Sequence, residues 1–65
     1  MIKSVVRFPN DMVVVFDEND EQIPEYQGMY REVKERILKQ ATPDTIFGHW
    51  FDLSDDIDPV SRENW

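Results

Sequence analysis

Two stretches near the start of the chain carry the hydrophobic patterns of β-strands. Residues 2–8 alternate in polarity, which predicts a half-buried strand with a period of two. One face carries Ile2, Ser4, Val6 and Phe8, and the other carries Lys3, Val5 and Arg7. Residues 12–17 contain a compact apolar run rich in valine, typical of a strand buried on both faces. The proline, asparagine and aspartate at 9–11 favour a turn, so the two strands form a predicted β-hairpin.

The strongest helical pattern covers residues 27–41. Apolar side chains recur there at spacings of three and four and form one stripe: Tyr26, Tyr30, Val33, Ile37 and Ala41. The opposite face is charged and holds two favourable i,i+4 pairs, Glu32 with Arg36 and Glu35 with Lys39. The helix is expected to end before Pro43, because proline cannot extend it.

The last third of the chain predicts one more strand and a tail. Residues 45–52 are rich in β-branched and aromatic side chains, which favours a third strand. Asp58 and Pro59 have the pattern of a helix N-cap and first residue, so residues 54–65 predict a helical turn or a tail. The expected fold class is α+β, in the order β-β-α-β. One amphipathic helix packs on a three-stranded, mainly antiparallel sheet, in a single domain spanning residues 1–65.

Composition narrows the class of protein. A chain of 65 residues forms one domain at most. On folding it buries only roughly 60% of the surface that its unfolded chain exposes. The sequence has no cysteine, which excludes disulfides and cysteine-based zinc sites and is compatible with a reducing compartment. No apolar run approaches the roughly 18–20 residues of a membrane span, and the N-terminus lacks a signal-peptide pattern. We therefore expect a cytoplasmic protein.

The charge of the chain is strongly negative and unevenly distributed. The formal net charge is −7, and two segments, 17–25 and 42–65, each carry −5, whereas the helical segment 26–41 carries +2. Nucleic acids and anionic membranes would be repelled at long range. Protein partners with basic surfaces, or further copies of this chain meeting through opposite charges, are the expected partners.

The second acidic segment is a weak candidate for a calcium loop. Its oxygen-bearing side chains fall at the offsets of an EF-hand, with Asp52 as the first: Asp52, Ser54, Asp56, Asp58 and Glu63. However, Ile57 occupies the position that needs glycine for the sharp turn, and Pro59 lacks a backbone N–H. A solvated acidic turn is the alternative interpretation, and we expect no metal and no cofactor.

The sequence shows no catalytic constellation. His49 is the only side chain whose ordinary pKa lies near neutrality. Asp52 is three residues along the predicted strand and would face the other side of the sheet. The serines do not lie in a nucleophile motif. We therefore expect a protein that is not an enzyme.

The aromatic third strand indicates an interaction surface. Both of its faces are largely apolar, and a single helix can cover only one of them. The second face must contact the C-terminal tail through Trp65, a second copy of the chain, or another protein. The predicted partner-binding residues are Trp50, Phe51, His49, Trp65, Asp55 and Asp56. The expected function is a non-enzymatic protein-interaction module, with a homodimer as one expected form; the alternatives are an acidic mimic of nucleic acid that binds a basic protein and a weak calcium-binding domain.

Overall fold

In the part of the chain that the structure describes, a five-stranded mixed sheet carries one α-helix on one face. The computed structural model describes residues 1–50 and 57–65. Its strands are β1 (Ile2–Arg7), β2 (Met12–Asp17), β3 (Gly28–Met29), β4 (Ile46–His49) and β5 (Asp58–Val60). The helix α1 spans Tyr30–Gln40, and short 3-10 helices span Pro24–Tyr26 and Arg62–Asn64. The α+β class, with one helix on a sheet, is therefore confirmed.

The prediction of a three-stranded, mainly antiparallel sheet is wrong in strand number, since the described sheet has five strands, and one of the four pairings is parallel. The strand order is β3-β2-β1-β4-β5, with β1 at the centre. β4 lies parallel to β1, starting from the pair Ser4 and Ile46, and the other neighbouring strands are antiparallel. The helix returns the chain to the end of the sheet where β1 begins, so the next strand runs in the direction of β1.

The C-terminal segment, for which the sequence pattern predicts a helical turn or a tail, contains the strand β5 and then the 3-10 helix Arg62–Asn64. Asp58 and Pro59 are part of β5 and pair with His49 and Gly48 of β4. Pro59 is tolerated there because β5 is at the edge of the sheet, where a missing N–H need not interrupt a ladder. The chain then continues through the 3-10 helix to Trp65, which is buried in the core and only 2% exposed.

The hydrophobic core lies between the sheet and α1. It contains one valine from β1, two from β2, and Val33 and Ile37 from the helix, together with Phe47 and Trp65. Ile2 belongs to the same core, whereas strict alternation placed it on the face of Val6. The pairing of β1 with β2 shifts register between Ile2 and Ser4, and this irregularity turns Ile2 toward the helix.

Thr45 fixes the turn between α1 and the parallel strand. Its buried hydroxyl donates a hydrogen bond to the carbonyl oxygen of Ile2 at 2.7 Å and accepts one from the N–H of Thr42 at 3.0 Å. The beginnings of β1 and β4 are thereby joined. Within the described residues, no helix has the length and apolar character needed to cross a membrane.

Candidate interaction surface

The two faces of the sheet differ in what covers them. Val5, Val13 and Val15 point toward α1 and are fully buried. Their neighbours along the strands point to the other side, because side chains alternate across a sheet. None of the described helices packs on that opposite side, which we call the open face. Trp65 does not cover it either, because its ring packs on the helix side against Tyr30 and Phe47, at centroid distances of 5.1 and 4.9 Å.

The open face contains an apolar concavity of about 420 Å³. Val6 and Gly48 are buried and form its floor. Ile46, Ile57 and Pro59 line it and are exposed, and Phe16 and Ser4 also contribute to its lining. Ile46 is 56% exposed and Ile57 is 47% exposed. The volume of the concavity lies within the range of roughly 300–1,000 Å³ that is usual for sites that bind small molecules. The apolar concavity is thus large enough to take apolar side chains of a partner.

The position of Ile57 in this surface depends on a glycine. A Cβ atom built on Gly48 would lie 2.5 Å from the Cγ2 atom of Ile57 and 3.4 Å from the carbonyl oxygen of Asp58. Any side chain at position 48 would therefore displace Ile57 or the edge strand β5. Glycine allows β5 to lie close to β4, and in this way it places an isoleucine over the open face.

A structured acidic loop, residues 17–21, borders the apolar concavity. The Asp17 carboxylate accepts hydrogen bonds from the N–H groups of Asn19 and Glu21, at 2.8 and 3.0 Å. Asp20 has a positive φ of 62°, which aspartate tolerates better than most residues. Asp20 also lines the apolar concavity, and its carboxylate lies 3.2 Å from the Lys3 amine. Hydrogen bonds within the loop therefore hold a negative charge at the edge of an apolar surface.

The acidic loop carries more negative charge than its neighbours neutralise. Of its four carboxylates, Glu18 lies 3.3 Å from the amino group of Met1 and Asp20 pairs with Lys3. A hydrogen bond from its own backbone N–H, and then the Met1 amine, lower the pKa of the Glu18 carboxyl below its ordinary value. Glu18 is therefore ionised at neutral pH, and this end of the open face presents an acidic border.

A second polar cluster lies on the helix side and has a structural role. The Arg7 guanidinium stacks 3.6 Å from the centre of the Tyr30 ring and donates to the Asp11 carboxylate at 2.7 Å. Arg7 also donates to the carbonyl oxygen of Trp65 at 2.9 Å, and the His49 Nε2 atom lies 3.2 Å from the same oxygen. These contacts hold Trp65 over the core.

The structure separates the residues that the sequence predicted to bind a partner. His49 and Trp65 lie on the helix side, and Trp65 is buried. Trp50 is half-buried, with its ring 5.2 Å from that of Phe8. Phe51, Asp55 and Asp56 lie outside the described residues. Within the described residues, the predicted partner-binding side chains therefore do not form one continuous surface.

The proposed calcium ligands are also only partly within the described residues. Asp52, Ser54 and Asp56 lie outside them, Asp58 is in β5, and Glu63 is in the 3-10 helix Arg62–Asn64. Across residues 1–50 and 57–65, no group of three or more histidine, aspartate or glutamate side chains is arranged to hold a metal ion.

Sequence reasoning did not select the residues that form the apolar concavity, although one signal was present. The alternation of β4 places Ile46 and Gly48 on the face opposite Phe47, and the sequence pattern indicates that one of these two faces needs a cover without indicating which. The contribution of Ile57 could not be found, because it depends on β5 pairing with β4. Comparison of the chain with protein-family models, curated proteins and solved structures gives no match.

Proposed function

We propose that this protein is a non-enzymatic protein-interaction module that binds its partner through the open face of the sheet. The observation that carries the proposal is the apolar concavity, which combines a buried floor with two exposed isoleucines. Apolar side chains that converge on a concave surface are typical of sites that accept an anchoring side chain from a partner. The absence of cysteine supports a cytoplasmic location.

The edges of the sheet favour docking on the face over addition of a strand. β3 has two residues and β5 has three, with Pro59 in the middle of β5. Short edges and proline are features that prevent pairing with an incoming strand. A partner strand could therefore form only a few backbone hydrogen bonds at either edge of the sheet.

Selection from a random peptide library tests the proposal without assuming the chemistry of the partner. Displayed peptides are selected on the wild-type protein and then measured against Ile46→Asp and Ile46→Thr, which change an exposed side chain beside the apolar concavity. We expect both variants to fold and to lose binding, with Ile46→Asp losing more. Circular dichroism and urea unfolding verify the fold of each variant.

Met12→Asp is the matched control. Met12 is 38% exposed and alternates with the buried Val13, so it faces the same side as Phe16. Four residues along β2 separate it from Phe16 by about 13 Å. Selected peptides should bind Met12→Asp as they bind the wild type. Peptides that bind Ile46→Asp as tightly as the wild type would contradict the proposal, and so would a selection that enriches no binder.

A further inference from the structure

We infer that the partner presents apolar side chains flanked by lysine or arginine, and that the acidic loop binds those cations while the apolar concavity binds the apolar side chains. The inference rests on the proposed function and adds the chemistry of the partner. Two features lie next to each other in the structure: the apolar lining, and a charged border formed by Asp20 and its loop. An apolar surface or an acidic loop alone is common. Side by side, the two are complementary to a partner segment that carries both apolar and basic side chains.

The acidic loop is suited to this role because its geometry exists before binding. Asp17 holds the loop through two backbone hydrogen bonds, so the backbone that carries the exposed carboxylates of Glu18, Asp20 and Glu21 needs little ordering when a cation arrives. Lys3 and the Met1 amino group pair with two of the four carboxylates of the loop, so part of its negative charge is not neutralised. A cation from a partner can therefore gain a favourable interaction with the remaining negative charge of the loop.

The negative charge of the acidic loop disfavours a second copy of this chain as the partner that occupies the open face. A symmetric dimer through the open face would bring each acidic loop near the corresponding surface of the other copy, and each copy carries a net charge of −7. Like charges placed across an interface oppose association. A polyanion is disfavoured for the same reason. A basic, partly apolar segment of another protein remains as the complementary occupant.

Two synthetic peptides of equal length test the inference. One has the sequence Lys-Lys-Leu-Leu-Lys-Lys and the other Glu-Glu-Leu-Leu-Glu-Glu, both with blocked ends. Binding is measured by calorimetry at low and high salt, between about 20 and 500 mM, because this range shortens the screening length from beyond the size of the site to a few Å. We expect the lysine peptide to bind at least about tenfold more tightly than the glutamate peptide at low salt, and to lose this preference as salt rises.

Protein variants locate the two contributions. Asp20→Asn should weaken binding of the lysine peptide by about two- to fivefold and reduce its salt dependence, as expected for a charge at the border of an interface. Ile46→Asp should weaken binding by about tenfold or more, as expected for an anchoring contact. Glu35→Gln is the charge-matched control, because it removes an exposed carboxylate on α1. It should change neither the affinity for the lysine peptide nor the salt dependence of binding.

The outcomes separate this inference from the proposed function. Equal binding of the two peptides, both sensitive to Ile46→Asp, would overturn the charge inference and leave the open face as the binding surface. Binding of the lysine peptide that Ile46→Asp does not weaken would overturn both. Absence of binding by either peptide would overturn the inference. A doubled solution mass that Ile46→Asp abolishes would show that a second copy is the occupant and would also overturn it.

Discussion

The side chain of Ile57 lies directly over Gly48, so close that a Cβ atom at position 48 would be 2.5 Å from the Ile57 Cγ2 atom. This contact links the edge strand β5 to β4 and puts an isoleucine on the open face. It also explains why an otherwise aromatic and β-branched strand contains glycine: the space that a side chain would occupy is already filled.

A double-mutant cycle measures this relationship. Gly48→Ala should reduce the free energy of unfolding by about 1–3 kcal/mol, the usual cost of overpacking a filled site. Ile57→Ala alone should cost less, because nearly half of its side chain is exposed. The double variant should be more stable than additivity predicts, with a coupling of about 1–2 kcal/mol. Urea unfolding of the four proteins provides the measurement, and additive effects would show that Ile57 does not lie over Gly48.

Trp65 should be essential for stability and should tolerate phenylalanine. Trp65→Ala removes a buried ring at a cost of about 3–5 kcal/mol, comparable with the roughly 3–5 kcal/mol that a domain of this size has in total. We therefore expect this variant to be largely unfolded at room temperature.

Trp65→Phe is the informative partner of that variant. The Trp65 Nε1 atom is buried and has no hydrogen-bond partner among the described residues. Phenylalanine removes this unpaired donor while keeping an aromatic ring beside Tyr30 and Phe47. The variant should remain folded and show a cooperative urea transition. If Trp65→Phe is unfolded, as expected for Trp65→Ala, the indole N–H makes a stabilising contact in addition to the ring contacts with Tyr30 and Phe47.

Arg7 should not be replaceable by lysine. Its planar group stacks on Tyr30 and donates to both Asp11 and the carbonyl oxygen of Trp65. An ammonium group cannot make these contacts together, so Arg7→Lys should lower the free energy of unfolding by about 1–2 kcal/mol. Asp11→Asn keeps an acceptor and tolerates the positive φ at that position.

Asp11→Asn therefore isolates the charge of the pair. Because the Asp11 side chain is 54% exposed, this variant should lose less than about 1 kcal/mol, and the loss should shrink in high salt. A larger loss for Asp11→Asn than for Arg7→Lys would show that the ion pair, and not the contacts with Tyr30 and Trp65, dominates the cluster.

The acidic loop should depend on Asp17. Asp17→Ala removes the acceptor of two backbone N–H groups and should cost about 1–2 kcal/mol, whereas Asp17→Asn retains an acceptor oxygen and should cost less. Amide hydrogen exchange at Asn19 and Glu21 provides the local readout. Exchange at these amides should accelerate strongly in Asp17→Ala and only slightly in Asp17→Asn. Unchanged exchange in Asp17→Ala would contradict the proposed organisation of the loop.

Local sequence patterns predicted the hairpin and the helix, because each depends on contacts between residues near one another in the chain. The helical stripe around Val33 and Ile37 was sufficient for the body of α1, but the predicted start at residue 27 is wrong, because Gly28–Met29 form β3. The parallel position of β4 and the edge strand β5 were not predictable in this way, because they depend on pairings between distant residues such as Ser4 with Ile46 and Gly48 with Pro59. A proline after aspartate favours a helix start in isolation, and here the pairing with β4 overrides that preference.

The candidate site was harder to predict than the fold for the same reason. The sequence pattern predicts the aromatic residues as interface anchors, yet Trp65 is buried and completes the core. The exposed apolar residues of the open face are aliphatic, and they come together only when β1, β2, β4 and β5 are in place. The negative charge of the loop was visible in the sequence, but its position beside Ile46 and Val6 required the structure.

Mapping the lysine peptide onto the protein by amide chemical shifts is the most direct test of the open face as the binding surface. During the titration, the largest shifts should occur at Val6, Asp20, Ile46 and Gly48, and the amides of α1 should change little. Largest shifts along α1, or around Arg7 and Trp65, would place the binding surface on the helix side and contradict the account.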